Sequence, residues 1–147
     1  AFTDANGSVC QIVLDIYSLS KNNVWHELSH AIDRRLAWDA MYRDDAMFSE
    51  EDWSALNPDG FAYTGEYGSL GTNIQPEWYS YFIDDYSMIN ATEDRARIFE
   101  YAVEDSGTLF RDAPGLTAKL QYYSDCIRDC FDTALWPEIT AWEAPLH

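Results

Sequence analysis

Apolar residues recur along the chain at two spacings. Cys10 to Tyr17, CQIVLDIY, is a short run of aliphatic and β-branched residues and predicts a strand. From Val24 to about Met41 the apolar positions Val24, Leu28, Ile32, Leu36 and Ala40 repeat at helical spacing, and Asn22 or Asn23 is placed to cap that helix. Ser49 followed by Glu50, Glu51 and Asp52 predicts a short helix through Leu56, stopped by Asn57, Pro58 and Gly60. Between Gly60 and Asp85 the periodicity is lost in a glycine-punctuated, aromatic stretch that is long for an idle connection. Asn90 or Thr92 can cap a helix running to about Asp105, with Ala96, Phe99, Ala102 and Val103 on its apolar face. Pro114 opens a last helix to about Thr133, with Leu116, Leu120, Tyr123, Ile127, Cys130 and Phe131 as its buried stripe. The order predicts an α+β chain, predominantly helical, with a small β-sheet portion.

Composition sets what such a chain can do. Of its 147 residues 47% are hydrophobic and 16% aromatic, enough to fill the core of a single domain and far too much for a disordered or collagen-like polymer. Asp and Glu number 26 against 9 Lys and Arg, a net charge of −17, and no basic cluster exists to track phosphates, so nucleic acid is excluded as a partner and an anionic bilayer is repelled. No apolar run approaches the roughly 18 residues of a spanning helix, which excludes membrane insertion. Because the chain opens at Ala1 just ahead of a strand-like segment, it is expected to be a mature or excised piece of a longer protein.

The three cysteines, Cys10, Cys126 and Cys130, are odd in number and contain no C-x-x-C pair, which argues against zinc-ribbon and thioredoxin-like sites. Cys126 and Cys130 share a helical face, and either can pair with Cys10 in a disulfide if the ends of the chain meet; alternatively all three are small buried hydrophobes.

The densest chemistry lies in WHELSHAID, where His26, Glu27 and His30 form H-E-x-x-H on the first long helix. Residues four apart on a helix lie one turn up and about 40° round, so both imidazoles can face one ion with Glu27 beside them. A catalytic zinc takes three protein ligands, so a third must come from elsewhere. No further histidine follows closely, and His147 at the end is a poor ligand, so a carboxylate is required. Glu93 is the better candidate because it stands in the first turn of its helix and shares the face of Ala96; Asp94, about 100° round, is the rival. Asp33, three residues after His30, either accepts a ligand histidine's free N–H or pairs with Arg34 or solvent.

HELSHAID followed by Glu93, Ala96 and Phe99 as E-x-x-A-x-x-F resembles the gluzincin-type metallopeptidases of the anthrax-lethal-factor and Pro-Pro-endopeptidase kind, over Cys10 to about Glu104. The resemblance implies a zincin-like catalytic domain that hydrolyses peptide bonds with Zn2+ held by His26, His30 and Glu93, and Glu27 as general base. It also implies an oxyanion donor seven residues before the glutamate ligand, which here is Tyr86. The family often has Glu after the Ala of the second motif, whereas this chain has Arg97, which is four residues from Glu93 and can pair with it. The strand CQIVLDIY is expected to be the edge to which an extended substrate adds, as zincin folds generally arrange.

Blander readings stand beside these. Tyr63, Tyr67, Trp78, Tyr79 and Tyr81 either line a substrate cleft or pack over the core, and the acids Asp44, Asp45 and Glu50 to Asp52 read as a solvated face. The alternative function is a non-catalytic domain that holds zinc for stability and grips a partner through its aromatic loop. The expected partner is a peptide or protein substrate bound by a monomer, and the acidic surface, few lysines and disulfide chemistry place the protein outside the cytoplasm, on a bacterial envelope or secreted.

Overall fold

The computed structural model describes residues 2–6, 9–14, 17, 20–66, 76–104 and 108–147. Strands β1 (Phe2–Asn6) and β2 (Val9–Val13) pair antiparallel, with Phe2 opposite Val13 and Asn6 opposite Val9. The predicted strand from Cys10 to Tyr17 is therefore displaced and shortened. A ladder extends only as far as its partner, and β1 supplies five residues. Leu14 has left the pairing and Tyr17 sits in a turn, while Asp15 and Ile16 lie outside the described residues.

Helix α1 (Lys21–Tyr42) starts one turn earlier than its apolar pattern, because Ser20 rather than Asn22 or Asn23 is its cap. The Ser20 hydroxyl accepts the Asn23 N–H at 3.2 Å, and Asn23 Oδ1 accepts the Ser20 N–H at 3.3 Å, so Asn23 is the returning half of a capping box. Helix α2 (Glu50–Ala55) is capped by Ser49, whose hydroxyl accepts the Asp52 N–H at 3.0 Å. Helix α3 (Ala91–Glu104) is capped by Asn90, whose Oδ1 accepts the Glu93 N–H at 2.9 Å. A short helix α4 (Thr108–Arg111), which no periodicity announced, precedes α5 (Pro114–Cys130). Helix α5 stops short of Thr133 because Phe131 turns to extended backbone, φ −106° and ψ 151°.

The chain is predominantly helical, with the β1–β2 ribbon lying against α1. The core gathers Leu36 of α1, Trp53 of α2, Ile98, Phe99 and Ala102 of α3, Phe110 of α4, and Leu116, Leu120, Tyr123 and Ile127 of α5. The C-terminal segment closes it with Trp136, Trp142 and Leu146. Tyr123 joins α5 to α1: its hydroxyl donates to the Ser29 carbonyl at 3.1 Å and accepts from the Ser29 hydroxyl at 3.0 Å. Among the described residues no helix is long and apolar enough to cross a membrane.

The inward face of α1 is only partly the apolar stripe. Glu27, Ser29, Asp33 and Leu36 are its buried residues, whereas Val24, Leu28 and Ile32 are half-buried and Ala40 is exposed. Asp33 faces inward because it pairs with Arg95 of α3, and Ser29 because it bonds the Tyr123 hydroxyl of α5. The disulfide also does not form: Cys10 is exposed on β2, Cys126 is buried among core residues and Cys130 is half-buried, each a free thiol. Burial in apolar surroundings pushes the Cys126 thiol up to about 11, so it is inert at neutral pH.

Helix α5 begins in close contact with the loop ahead of α3. The Leu116 N–H donates to the Ser80 carbonyl at 2.9 Å, and a Cβ on Gly115 would lie 2.5 Å from Tyr81 Cδ1 and 2.7 Å from Ser80 O. Gly→Ala inside a helix ordinarily stabilises by up to about 1 kcal/mol. Here Gly115→Ala is expected to destabilise by about 1–3 kcal/mol, because a backbone oxygen cannot yield. Urea unfolding midpoints of the two proteins check the sign.

Candidate metal centre

Two helices bring the chemistry together. His26 and His30 stand one turn apart on α1 with their rings edge to face, centroids 4.8 Å apart. Glu93 reaches them from the first turn of α3, where the helix's positive end favours a carboxylate and the Asn90 cap holds the backbone. Its Oε2 lies 3.1 Å from His26 Nε2 and 3.5 Å from His30 Nε2, and the two Nε2 atoms are 3.2 Å apart. Ligand bonds of about 2.0–2.1 Å in a tetrahedron place neighbouring donors about 3.3 Å apart, so this triangle matches one face of such a polyhedron. Among the described residues these three are the group of side chains that could hold a metal ion.

The carboxylate that steadies a histidine is Glu100, which the sequence reading did not single out. Its Oε2 lies 3.3 Å from His26 Nδ1, at 3% exposure for the residue. An Nδ1–H donated there leaves the Nε2 lone pair facing His30 and Glu93, which is the tautomer a metal needs. Its signal was faint but present: Glu100 lies seven residues, two helical turns, after Glu93 on the same face of α3. Burial alone pulls the His26 imidazole's proton affinity down, but its hydrogen bonds to Glu100 and Glu93 and their negative charges outweigh it, and the pKa is pushed up from 6.5 to about 9. Without a cation, a proton on His26 therefore stands in its place.

Glu27, 6% exposed, and Tyr86 flank the triad. Tyr86 belongs to a 3-10 turn (Asp85–Met88), and its ring centroid is 6.0 Å from that of His26. Both residues line an open cleft of about 690 Å³ together with Ser20, Asn22, Asn23, His26, Asp84, Arg97 and Glu100. The cleft thus lies along the N-terminal turns of α1, between His26 and the Tyr86 turn.

Two expectations are corrected, for Asp33 and Arg97, and the rival ligand is engaged elsewhere. Asp94 is no ligand: it is fully buried and accepts from Lys119 Nζ at 2.7 Å and from the Tyr63 hydroxyl at 2.9 Å. Burial raises its carboxyl to about 6 against the pull of Lys119, while burial lowers Lys119. Asp33 neither holds a histidine nor pairs with Arg34 or solvent; its Oδ1 lies 2.5 Å from Arg95 Nε and its Oδ2 accepts from Arg95 Nη2 at 3.1 Å. Arg97 pairs with Asp84 and Glu100 where a pair with Glu93 was expected. The acidic face also contributes inward, since Glu50 accepts from Arg95 at 2.7 and 3.0 Å.

The aromatic loop packs over the core. Phe61 meets Tyr63, Trp78 and Phe82 at centroid separations of 5.0, 5.3 and 4.4 Å, and the Tyr63 hydroxyl accepts from Trp53 Nε1 at 3.0 Å. Tyr79 is exposed, Tyr81 presses on Gly115, and Tyr67 lies outside the described residues. No protein-family model, curated protein or solved structure matches the chain.

The shift on His26 carries a pH dependence. A histidine whose folded pKa exceeds its unfolded value stabilises fully below the unfolded pKa and loses that contribution as pH rises through the folded one. Chelator-treated protein is therefore expected to lose on the order of 3 kcal/mol of unfolding free energy between pH 6.5 and about 9. Denaturant titrations across that window check it, and a His26→Gln variant is expected to lack the slope.

Proposed function

We propose that this chain is a zinc-dependent metallopeptidase with a zincin-like catalytic domain. One observation carries the reading: His26, His30 and Glu93 present three donor atoms from two helices at tetrahedral spacing, and His26 lines an open cleft together with a buried glutamate, Glu27. The donor set of two imidazoles and one carboxylate suits zinc and leaves a coordination position free. Zinc held there supplies Lewis acidity, which polarises a carbonyl oxygen and lowers the pKa of water.

The remaining work falls to the chain's own groups. The Glu27 carboxylate accepts the proton of the attacking water and passes it to the departing amine, the task of a positioned general base. The Tyr86 hydroxyl donates a hydrogen bond to the oxyanion that develops on the scissile carbonyl, a contribution typically worth about 2.7–4 kcal/mol. Glu100 keeps His26 in the ligand tautomer. Two buried carboxylates, Glu93 and Glu100, crowd two imidazoles, a balance of charge that a divalent cation relieves.

Glu27→Gln tests the reading. The variant is expected to retain one equivalent of zinc and to lose at least about 100-fold in hydrolysis of a mixed peptide library followed by mass spectrometry. His26→Ala is expected to lose both zinc and hydrolysis. Zinc binding without peptide cleavage by the parent protein, unchanged by Glu27→Gln, contradicts the peptidase and favours a domain that holds zinc to grip a partner.

A further inference from the structure

Glu100 carries more than a contact to His26. The oxygen that faces His26 Nδ1, Oε2, also accepts from Arg97 Nη1 at 2.6 Å. The rest of the Arg97 fork is committed to Asp84, whose Oδ2 accepts from Nε at 3.1 Å and from Nη2 at 2.5 Å. The other oxygen of Asp84, Oδ1, accepts the Ser87 N–H at 3.1 Å and the Ser87 hydroxyl at 3.3 Å, which caps the 3-10 turn that carries Tyr86. The guanidinium lies over the Tyr101 ring, 4.9 Å from its centroid, so it cannot swing away without losing that contact too.

These contacts form one unbroken chain: His26, Glu100, Arg97, Asp84, and the backbone of the Tyr86 turn. Its links are charge-assisted hydrogen bonds, and the guanidinium's planar fork fixes directions that an ammonium could not. Two carboxylates share one imidazole beside Arg97. Glu93 and Glu100 approach opposite nitrogens of His26, and the positive charge of Arg97 lies against the more deeply buried of the two.

We propose that Arg97 is a positioning residue that aims Glu100 at His26 and ties the metal ligand to the turn bearing Tyr86, so that metal affinity depends on a side chain outside the ligand set. This inference rests on the metal reading above. It differs from a direct pairing of Arg97 with Glu93 because the influence passes through Glu100, and the two routes behave differently when Glu100 is changed.

The experiment is a double-variant cycle in zinc affinity on the full chain, measured by competition with a chromophoric chelator, with circular dichroism confirming the fold of each variant. Arg97→Gln and Glu100→Gln are each expected to weaken zinc binding by about 10- to 100-fold, and the double variant to be no weaker than Glu100→Gln alone. Arg97→Lys, which keeps the charge without the fork, is expected to restore only part of the loss. Arg128→Gln, which breaks the Arg128–Glu143 ion pair of the C-terminal segment, is the control and is expected to bind zinc as the parent does. Amide exchange at Ser87 is expected to quicken in Arg97→Gln and not in Arg128→Gln. A parent protein that takes up no zinc overturns the metal reading and this inference together. A parent that binds zinc, with Arg97→Gln within twofold of it or with additive losses in the double variant, overturns this inference alone.

Discussion

Helix α3 buries four charged side chains, Glu93, Asp94, Arg95 and Glu100, and a charge removed from water must find a partner. The partners come from three other helices. Arg95 meets Asp33 of α1 and Glu50 of α2, Asp94 meets Lys119 of α5, and Glu93 and Glu100 meet His26 of α1. Removing one member of such a pair typically costs about 3–5 kcal/mol, so the rotation and depth of α3 are set by charge matching as much as by Ile98 and Phe99. The candidate ligands adjoin this lattice: Glu93 directly precedes Asp94 and Arg95, and His30 precedes Asp33 by three residues.

That arrangement explains which parts of the chain its sequence disclosed. His26, Glu27 and His30 are legible because their geometry is local to one helix, four residues making one turn. Glu93 is legible from its place in the first turn of α3, and α2 from its serine and acids. The inward face of α1 is not, since Ser29 and Asp33 look like surface residues until α3 and α5 supply Arg95 and Tyr123. Glu100 escaped for the same reason: its partner is 74 residues away, and only the packing of α1 on α3 brings them together. Strand β2 was overextended because apolar content measures burial, whereas strand length is limited by the partner.

The cleft inherits its character from the same charges. Asp84, Arg97, Glu100 and Glu27 line it beside His26, and the loop aromatics are engaged with Trp53 and Phe82 instead. The cleft is therefore lined by polar groups of helices α1 and α3 together with the Tyr86 turn, which is attached through the Asp84 cap. Rigid placement of this kind suits chemistry in which reacting groups must be aligned before the barrier is crossed.

A crystal of the intact chain grown with zinc, with data collected across the zinc absorption edge, tests the central claim most directly. The account predicts a single anomalous peak about 2.0–2.2 Å from His26 Nε2, His30 Nε2 and a Glu93 oxygen, with a fourth ligand that is not protein. Imidazoles turned away from each other, or an ion enclosed by four side-chain donors, contradict it.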